Sequence, residues 1–173
     1  MKKHILVVDD DESVRESLKK VLVAAGYEVV LASGGLEAAI RFEPGQVDLM
    51  LLDLNLPNQS GWDIFEGLSA RYPLVPVIII TGLANQQRVA KMAGVGALFE
   101  KPVEAGALLE KMEELIAEPP EPRLQRLCGQ LEETTHVGSA KGNGSEPEGD
   151  RLRIGAGKGS DAEASGRHGG GRQ

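Results

Sequence analysis

Val47-Asp48-Leu49-Met50-Leu51-Leu52-Asp53 is an apolar run that stops on a carboxylate, and it has the look of a buried strand. Working outward, the same pattern recurs three times. His4-Ile5-Leu6-Val7-Val8 ends in Asp9-Asp10, and Val75-Pro76-Val77-Ile78-Ile79-Ile80 ends in Thr81. The weaker run Ala97-Leu98-Phe99-Glu100 ends in Lys101-Pro102. Helical patterns lie between the runs, and such alternation predicts βαβ units and a parallel sheet. In an open parallel sheet, ligands bind beyond the carboxyl ends of the strands, where the strand order reverses. Carboxylates, a hydroxyl and an ammonium gathered there suit a divalent cation and a phosphoryl group.

The helices follow from spacing and punctuation. Ser13-Val14-Arg15-Glu16 reads as a capping box, with Val14, Leu18, Val21, Leu22 and Ala25 at helical intervals and Gly26 as the stop. Tyr27 to Ala32 reads as a strand, and Leu36 to Phe42 as a short helix closed by Pro44-Gly45. The turn-rich loop Asn55-Leu56-Pro57-Asn58-Gln59-Ser60-Gly61 precedes a helix bearing Ile64, Phe65 and Leu68. A polar helix is expected over Asn85 to Ala93, and a last one over Val103 to Ala117. Five strands in the order 2-1-3-4-5, with five helices on both faces, make a doubly wound α/β domain over residues 1–117. At Glu118-Pro119-Pro120-Glu121-Pro122 the character changes, and 12 of the 22 glycines lie beyond Glu118. Residues 118–173 are expected to be a mostly disordered tail, with at most a short helix at 123–133, because so little apolar surface cannot offset the entropy of ordering.

Composition narrows the classes. The apolar fraction of 41% and charged fraction of 26% are those of a soluble globular protein. A net charge of −7 argues against general attraction to nucleic acid or an anionic membrane. Cys128 is the single cysteine, so no intrachain disulfide can form. No run is long enough for a secretory signal or a membrane span, and a cytoplasmic protein is expected.

The chemistry is concentrated at the strand ends. In the order 2-1-3-4-5 the first and third strands are neighbours, so Asp9, Asp10 and Asp53 can converge. Their mutual repulsion is relieved by a hard divalent cation such as Mg2+, which prefers oxygen ligands. Asp53 is the natural nucleophile, since a carboxylate can accept a phosphoryl group as an acyl phosphate. The cation, the Lys101 ammonium and the Thr81 hydroxyl can then compensate charge on the three phosphoryl oxygens.

The segment Ile5 to Lys101 resembles the receiver domain of two-component response regulators. The carrying motifs are Val7-Val8-Asp9-Asp10, Leu52-Asp53-Leu54-Asn55-Leu56-Pro57 with Gly61 beyond, Ile80-Thr81-Gly82 and Glu100-Lys101-Pro102. Ala32-Ser33-Gly34-Gly35-Leu36-Glu37-Ala38 is similar as well. The resemblance implies phosphorylation of Asp53 by a histidine kinase or a phosphotransfer protein. It implies Mg2+ on the Asp10 and Asp53 side chains and the Asn55 backbone carbonyl, with Asp9 acting through water. Thr81 would turn towards the phosphoryl group, Lys101 would pair with it, and Lys101-Pro102 would be cis. The surface of the fourth helix, fifth strand and fifth helix would change, and a phosphorylation-dependent dimer is compatible with this. The family commonly has an aromatic residue where Leu98 stands, which puts the aromatic readout in question.

Taken singly, each motif has an ordinary reading as a turn, a helix N-terminus or a surface lysine; their order and shared position at strand ends set those readings aside. The expected module signals by contact with an unnamed downstream protein and has no enzymatic or DNA-binding output domain. The alternative is a Mg2+-dependent phosphohydrolase with an aspartate nucleophile, which needs a second aspartate where Asn55 stands. A flavodoxin-like cofactor binder is disfavoured because Asp9-Asp10-Asp11 would repel a phosphate. Gly155-Ala156-Gly157-Lys158-Gly159-Ser160 imitates a phosphate loop without a preceding strand. His136 lies in a Gly/Ser-rich stretch with no amphipathic helix to present it. His4 is read as a strand-start residue, His168 as a tail residue, Cys128 as a bystander, and Trp62 as cover for the start of the third helix.

Overall fold

A computed structural model describes residues 2–43, 45–57, 59–130 and 134–138. The tail beyond residue 138, with the phosphate-loop imitation and His168, lies outside the described residues. In chain order the elements are β1 (His4–Val8), α1 (Glu12–Ala24), β2 (Glu28–Ala32), α2 (Gly35–Arg41), β3 (Leu49–Leu52) and α3 (Gly61–Arg71). They continue with β4 (Val77–Thr81), α4 (Gln87–Ala93), β5 (Ala97–Glu100), α5 (Ala105–Ala117), α6 (Pro120–Leu127) and β6 (Thr135–Val137). All strand pairs are parallel, in the order β2-β1-β3-β4-β5-β6. Among the described residues no helix is long and apolar enough to cross a membrane.

The central strands are buried on both faces, which is why they are written as unbroken apolar runs. Ile5, Val7, Leu49, Leu51, Ile78, Ile80, Ala97 and Phe99 face one layer, packed on Val14, Leu18 and Leu22 of α1 and Leu108, Met112 and Leu115 of α5. Leu6, Val8, Met50, Leu52, Ile79 and Leu98 face the other, against Ala38 of α2, Ile64 and Phe65 of α3 and Ala90 of α4. Each fully buried Leu, Ile or Phe stabilises the fold by about 2 kcal/mol relative to an exposed one.

Three expectations are corrected. The cap of α1 is Asp11, whose carboxylate accepts from Ser13 N (2.8 Å) and Val14 N (3.4 Å), so the helix starts ahead of the Ser13 capping box. A carboxylate two residues earlier reaches the first free amides before the Ser13 hydroxyl can. Among the described residues the sheet has six strands, not five: β6 rises from the stretch assigned to the tail and pairs along β5. The short helix spans Pro120–Leu127, not 123–133, opened by prolines whose fixed φ suits a first turn. Gly26 ends α1 at φ +93°, and Lys101-Pro102 is cis, both as expected.

Candidate functional site

The register sets the site. Val8 of β1 pairs with Leu52 of β3, so the next residues, Asp9 and Asp53, leave adjacent strands at one level. Asp53 N donates to Val8 O at 2.8 Å, and Asp9 N to Ala32 O at 3.2 Å, which holds both backbones down. Thr81 pairs with Glu100, and Lys101 N donates to Thr81 O at 2.9 Å, so the lysine emerges beside the two aspartates.

Lys101 bridges them. Its Nζ donates to Asp9 Oδ2 at 2.8 Å and to Asp53 Oδ2 at 2.7 Å, and all three side chains are buried. The other carboxylate oxygens accept from backbone: Asp11 N donates to Asp9 Oδ1 and Asn55 N to Asp53 Oδ1, each at 2.9 Å. Asp10 is exposed at the rim, yet a carboxylate oxygen from each of Asp9, Asp10 and Asp53 lies within 4.8 Å of the others. Thr81 is fully buried, and its Oγ1 accepts from Leu83 N at 3.1 Å. Asp9, Asp10, Asp53, Thr81 and Lys101 therefore gather at the carboxyl ends of β1, β3, β4 and β5.

Electrostatics follow from burial. Asp9 is pushed above its ordinary carboxylate value because desolvation outweighs the attraction of Lys101, and Asp53 adds repulsion. Burial pulls Lys101 down most strongly, but its hydrogen bonds to Asp53 and Asp9 and their charges together raise it above 10.5. The Lys101 ammonium bridges two of the carboxylates, Asp9 and Asp53, and Asp10 adds a third at the rim. That donor set fits Mg2+, which takes oxygen ligands and a small number of carboxylates.

The loop after Asp53 closes tightly. A Cβ on Gly61 would stand 2.6 Å from Asp53 O and 2.5 Å from Leu54 Cα, so no larger residue fits without moving the strand exit. Leu98 is buried among the α4-side residues and Phe99 points to the opposite layer, so neither offers an exposed aromatic ring. Trp62 packs edge-on to Phe65 and donates from Nε1 to Gln86 Oε1 at 3.1 Å, tying the start of α3 to the approach of α4.

Two features escaped sequence reasoning. Arg15 Nη1 donates to Asp9 O at 2.6 Å, clamping the β1 exit from α1. Gln87, Glu100 and His136 meet on the surface beside Lys101, with Gln87 Nε2 donating to Glu100 Oε1 at 2.6 Å. His136 Nε2 lies 3.3 Å from the same oxygen. Arg15 carries no signal beyond a basic residue on α1, and the cluster joins positions with no periodic relation.

The fold and this acidic pocket are those of a receiver domain, and comparison with known proteins agrees. The response regulator receiver domain family matches residues 5–113, and the chain belongs to that family. Phosphorylation and Mg2+ binding are general properties of its members. Response regulator MprA of Mycobacterium bovis is 35% identical over 118 residues, covering 67% of this chain and 51% of that protein. Response regulator RR06 of Streptococcus pneumoniae is 30% identical over 115 residues, 65% of this chain and 52% of that protein. The chain thus spans about half the length of the curated relatives it matches. A CheY-like receiver domain from Methanospirillum hungatei superposes with a TM-score of 0.63 at 32% identity, over 72% of this chain and 99% of that one. The response regulator TrrA of Thermotoga maritima, solved with Mg2+-BeF, gives 0.61 at 31% identity, over 65% and 98%.

Proposed function

We propose that this chain is a phosphorylation-switched signalling module in which Asp53 accepts a phosphoryl group from a partner's phosphohistidine. The partner is a sensor histidine kinase or a histidine phosphotransfer protein, and the output is contact with a downstream protein in the cytoplasm. The observation that supports this most is the Lys101 ammonium held between the buried Asp9 and Asp53 carboxylates.

Asp53 Oδ attacks phosphorus, the O–P bond forms as the P–N bond breaks, and the leaving imidazole takes a proton from solvent. Asn55 N, on Asp53 Oδ1, fixes the carboxylate for that attack. Asp10, Asp53 and the Asn55 carbonyl would hold Mg2+, with Asp9 acting through water. When bound, the ion would neutralise charge on the phosphoryl oxygens. Lys101 then pairs with the acyl phosphate, and the Thr81 hydroxyl donates to it. Asn55 favours a module of this kind over a phosphohydrolase, because an amide cannot serve as the acid or base that hydrolysis needs.

Intact-mass measurement after incubation with a small phosphodonor and Mg2+ tests the reading. A metal-dependent, hydroxylamine-labile adduct is expected on the wild type and not on Asp53→Ala. An adduct that persists in Asp53→Ala would place the acceptor elsewhere; absence from both with a range of donors would mean a receiver served only by its kinase or a phosphorylation-independent scaffold, and Mg2+ binding to the same sample separates those two.

A further inference from the structure

Strand β6 is an unusual addition. The layers place α1 and α5 on one face of the sheet and α2, α3 and α4 on the other. From β1 to β2 the chain steps one way across the sheet with α1 on the first face. From β2 to β3, β3 to β4 and β4 to β5 it steps the other way with helices on the second face, so these four crossovers share one hand. From β5 to β6 it steps that same other way, but with α5 on the first face. This last connection then continues through α6, whose Leu127 packs on the second face, so it passes from one face to the other before β6 begins and is unlike the four single-helix crossovers.

The attachment is short and thinly held. It comprises three paired positions, Ala97 with Thr135, Leu98 with His136 and Phe99 with Val137. Thr134 Oγ1 donates to Val95 O at 2.9 Å, and His136 touches Glu100 and Gln87 at the surface. Val137 is half-buried against the α1/α5 layer. The exposed contact of His136 with Glu100 contributes at most about 1 kcal/mol, and segments with few buried contacts open locally first.

The strand it covers runs into the site. Glu100 immediately precedes Lys101, pairs with Thr81, and also holds Gln87 at the first turn of α4 and His136 of β6. A displacement of Lys101 or Thr81 therefore reaches the His136 contact through one residue.

We propose that β6 is a displaceable cover on the outer edge of β5, and that phosphorylation of Asp53 releases it so that a partner's extended segment can add there. This rests on the reading of Asp53 given above. The present occupant specifies its replacement. It is a segment parallel to β5, with a hydrogen-bond donor where His136 meets Glu100 and a branched apolar side chain where Val137 meets the Phe99 layer. Main-chain pairing supplies affinity in such strand addition, and the alternating side chains supply choice.

Hydrogen exchange of the full chain, read by mass spectrometry with and without phosphodonor and Mg2+, tests this alongside the intact mass. With the adduct present, peptides covering 97–100 and 134–138 should exchange at least about tenfold faster, while those covering β1 and β3 stay protected. An adduct with unchanged protection of 134–138 would overturn the inference and leave the Asp53 reading standing. If small donors give no adduct, the Val137→Asp comparison decides the covering by itself. Val137→Asp decides the covering independently of the phosphodonor: it should expose 97–100 while β1 and β3 keep their protection. Protection of 97–100 retained in that variant would show that β6 is not the cover.

Discussion

Lys101 is the counterion of two buried carboxylates, so its removal acts through what it leaves behind. In Lys101→Ala, Asp9 and Asp53 face each other with no cation between them, and breaking such a buried group costs about 3 kcal/mol. Urea unfolding in chelator should show that loss at neutral pH, and added Mg2+ should stabilise the variant more than the wild type. The sign with pH is also set. Because Lys101 titrates above 10.5 in the folded chain, its contribution is complete below 10.5 and fades as pH rises through the folded value. Asp48 behaves in the opposite sense. Burial would raise its carboxyl, but Lys3 Nζ and His4 N, both donating to it, together hold it below 3.8. Its stabilisation is present above 3.8 and is lost as pH falls through the folded value. Asp48→Asn should cost about 1 kcal/mol or less at pH 7, since Lys3 is half exposed. The difference from wild type should vanish at the acid end of the stability curve.

At the scale of elements, two glycines hold joints that no other residue can. Gly61→Ala pushes a methyl group into Asp53 O and Leu54 Cα. We expect it to cost about 2 kcal/mol in unfolding free energy, and to slow formation of the Asp53 adduct in the same sample by displacing the strand exit. Gly94 sits at φ +73° at the end of α4, where a Cβ would stand 2.6 Å from Arg126 O of α6. Gly94→Ala combines a left-handed backbone with that clash, so it should lower stability and raise hydrogen exchange in α6 before the core is touched. Which elements could be read from the sequence depended on what supplies their pattern. β1, β3 and β4 are buried on both faces and write their own apolar runs, so Asp9, Asp10 and Asp53 were legible as the residues that follow and Thr81 as the polar end of its run. Thr135-His136-Val137 has no such run, because β5 provides the pairing that makes it a strand. The start of α1 was misplaced by one local competition, Asp11 against Ser13 for the same free amides.

For the whole molecule, the sheet is completed by a segment that returns beneath it. Arg123 Nε donates to Pro73 O at 2.6 Å, and Arg126 pairs with Glu118, so α6 is fastened to the approach of β4 and the end of α5. Burial beside Arg126 pushes Arg123 down to about 10, so this fastening carries a cost in desolvation. Arg126→Ala strands the partly buried Glu118 and should loosen α6 and β6 together, read as faster exchange in 120–138 with the β1–β4 core unchanged. The site residues were legible because each ends or closely follows a strand in sequence. The Gln87–Glu100–His136 cluster was not, because three separate elements must first be stacked before those side chains meet. Strand β6 also has a consequence in time. Translation delivers residues 135–137 after every strand they close over, so a nascent chain can assemble its five other strands while the β5 margin is still bare. During that interval the domain carries an open template for aggregation, and the arrival of Thr135-His136-Val137 ends it.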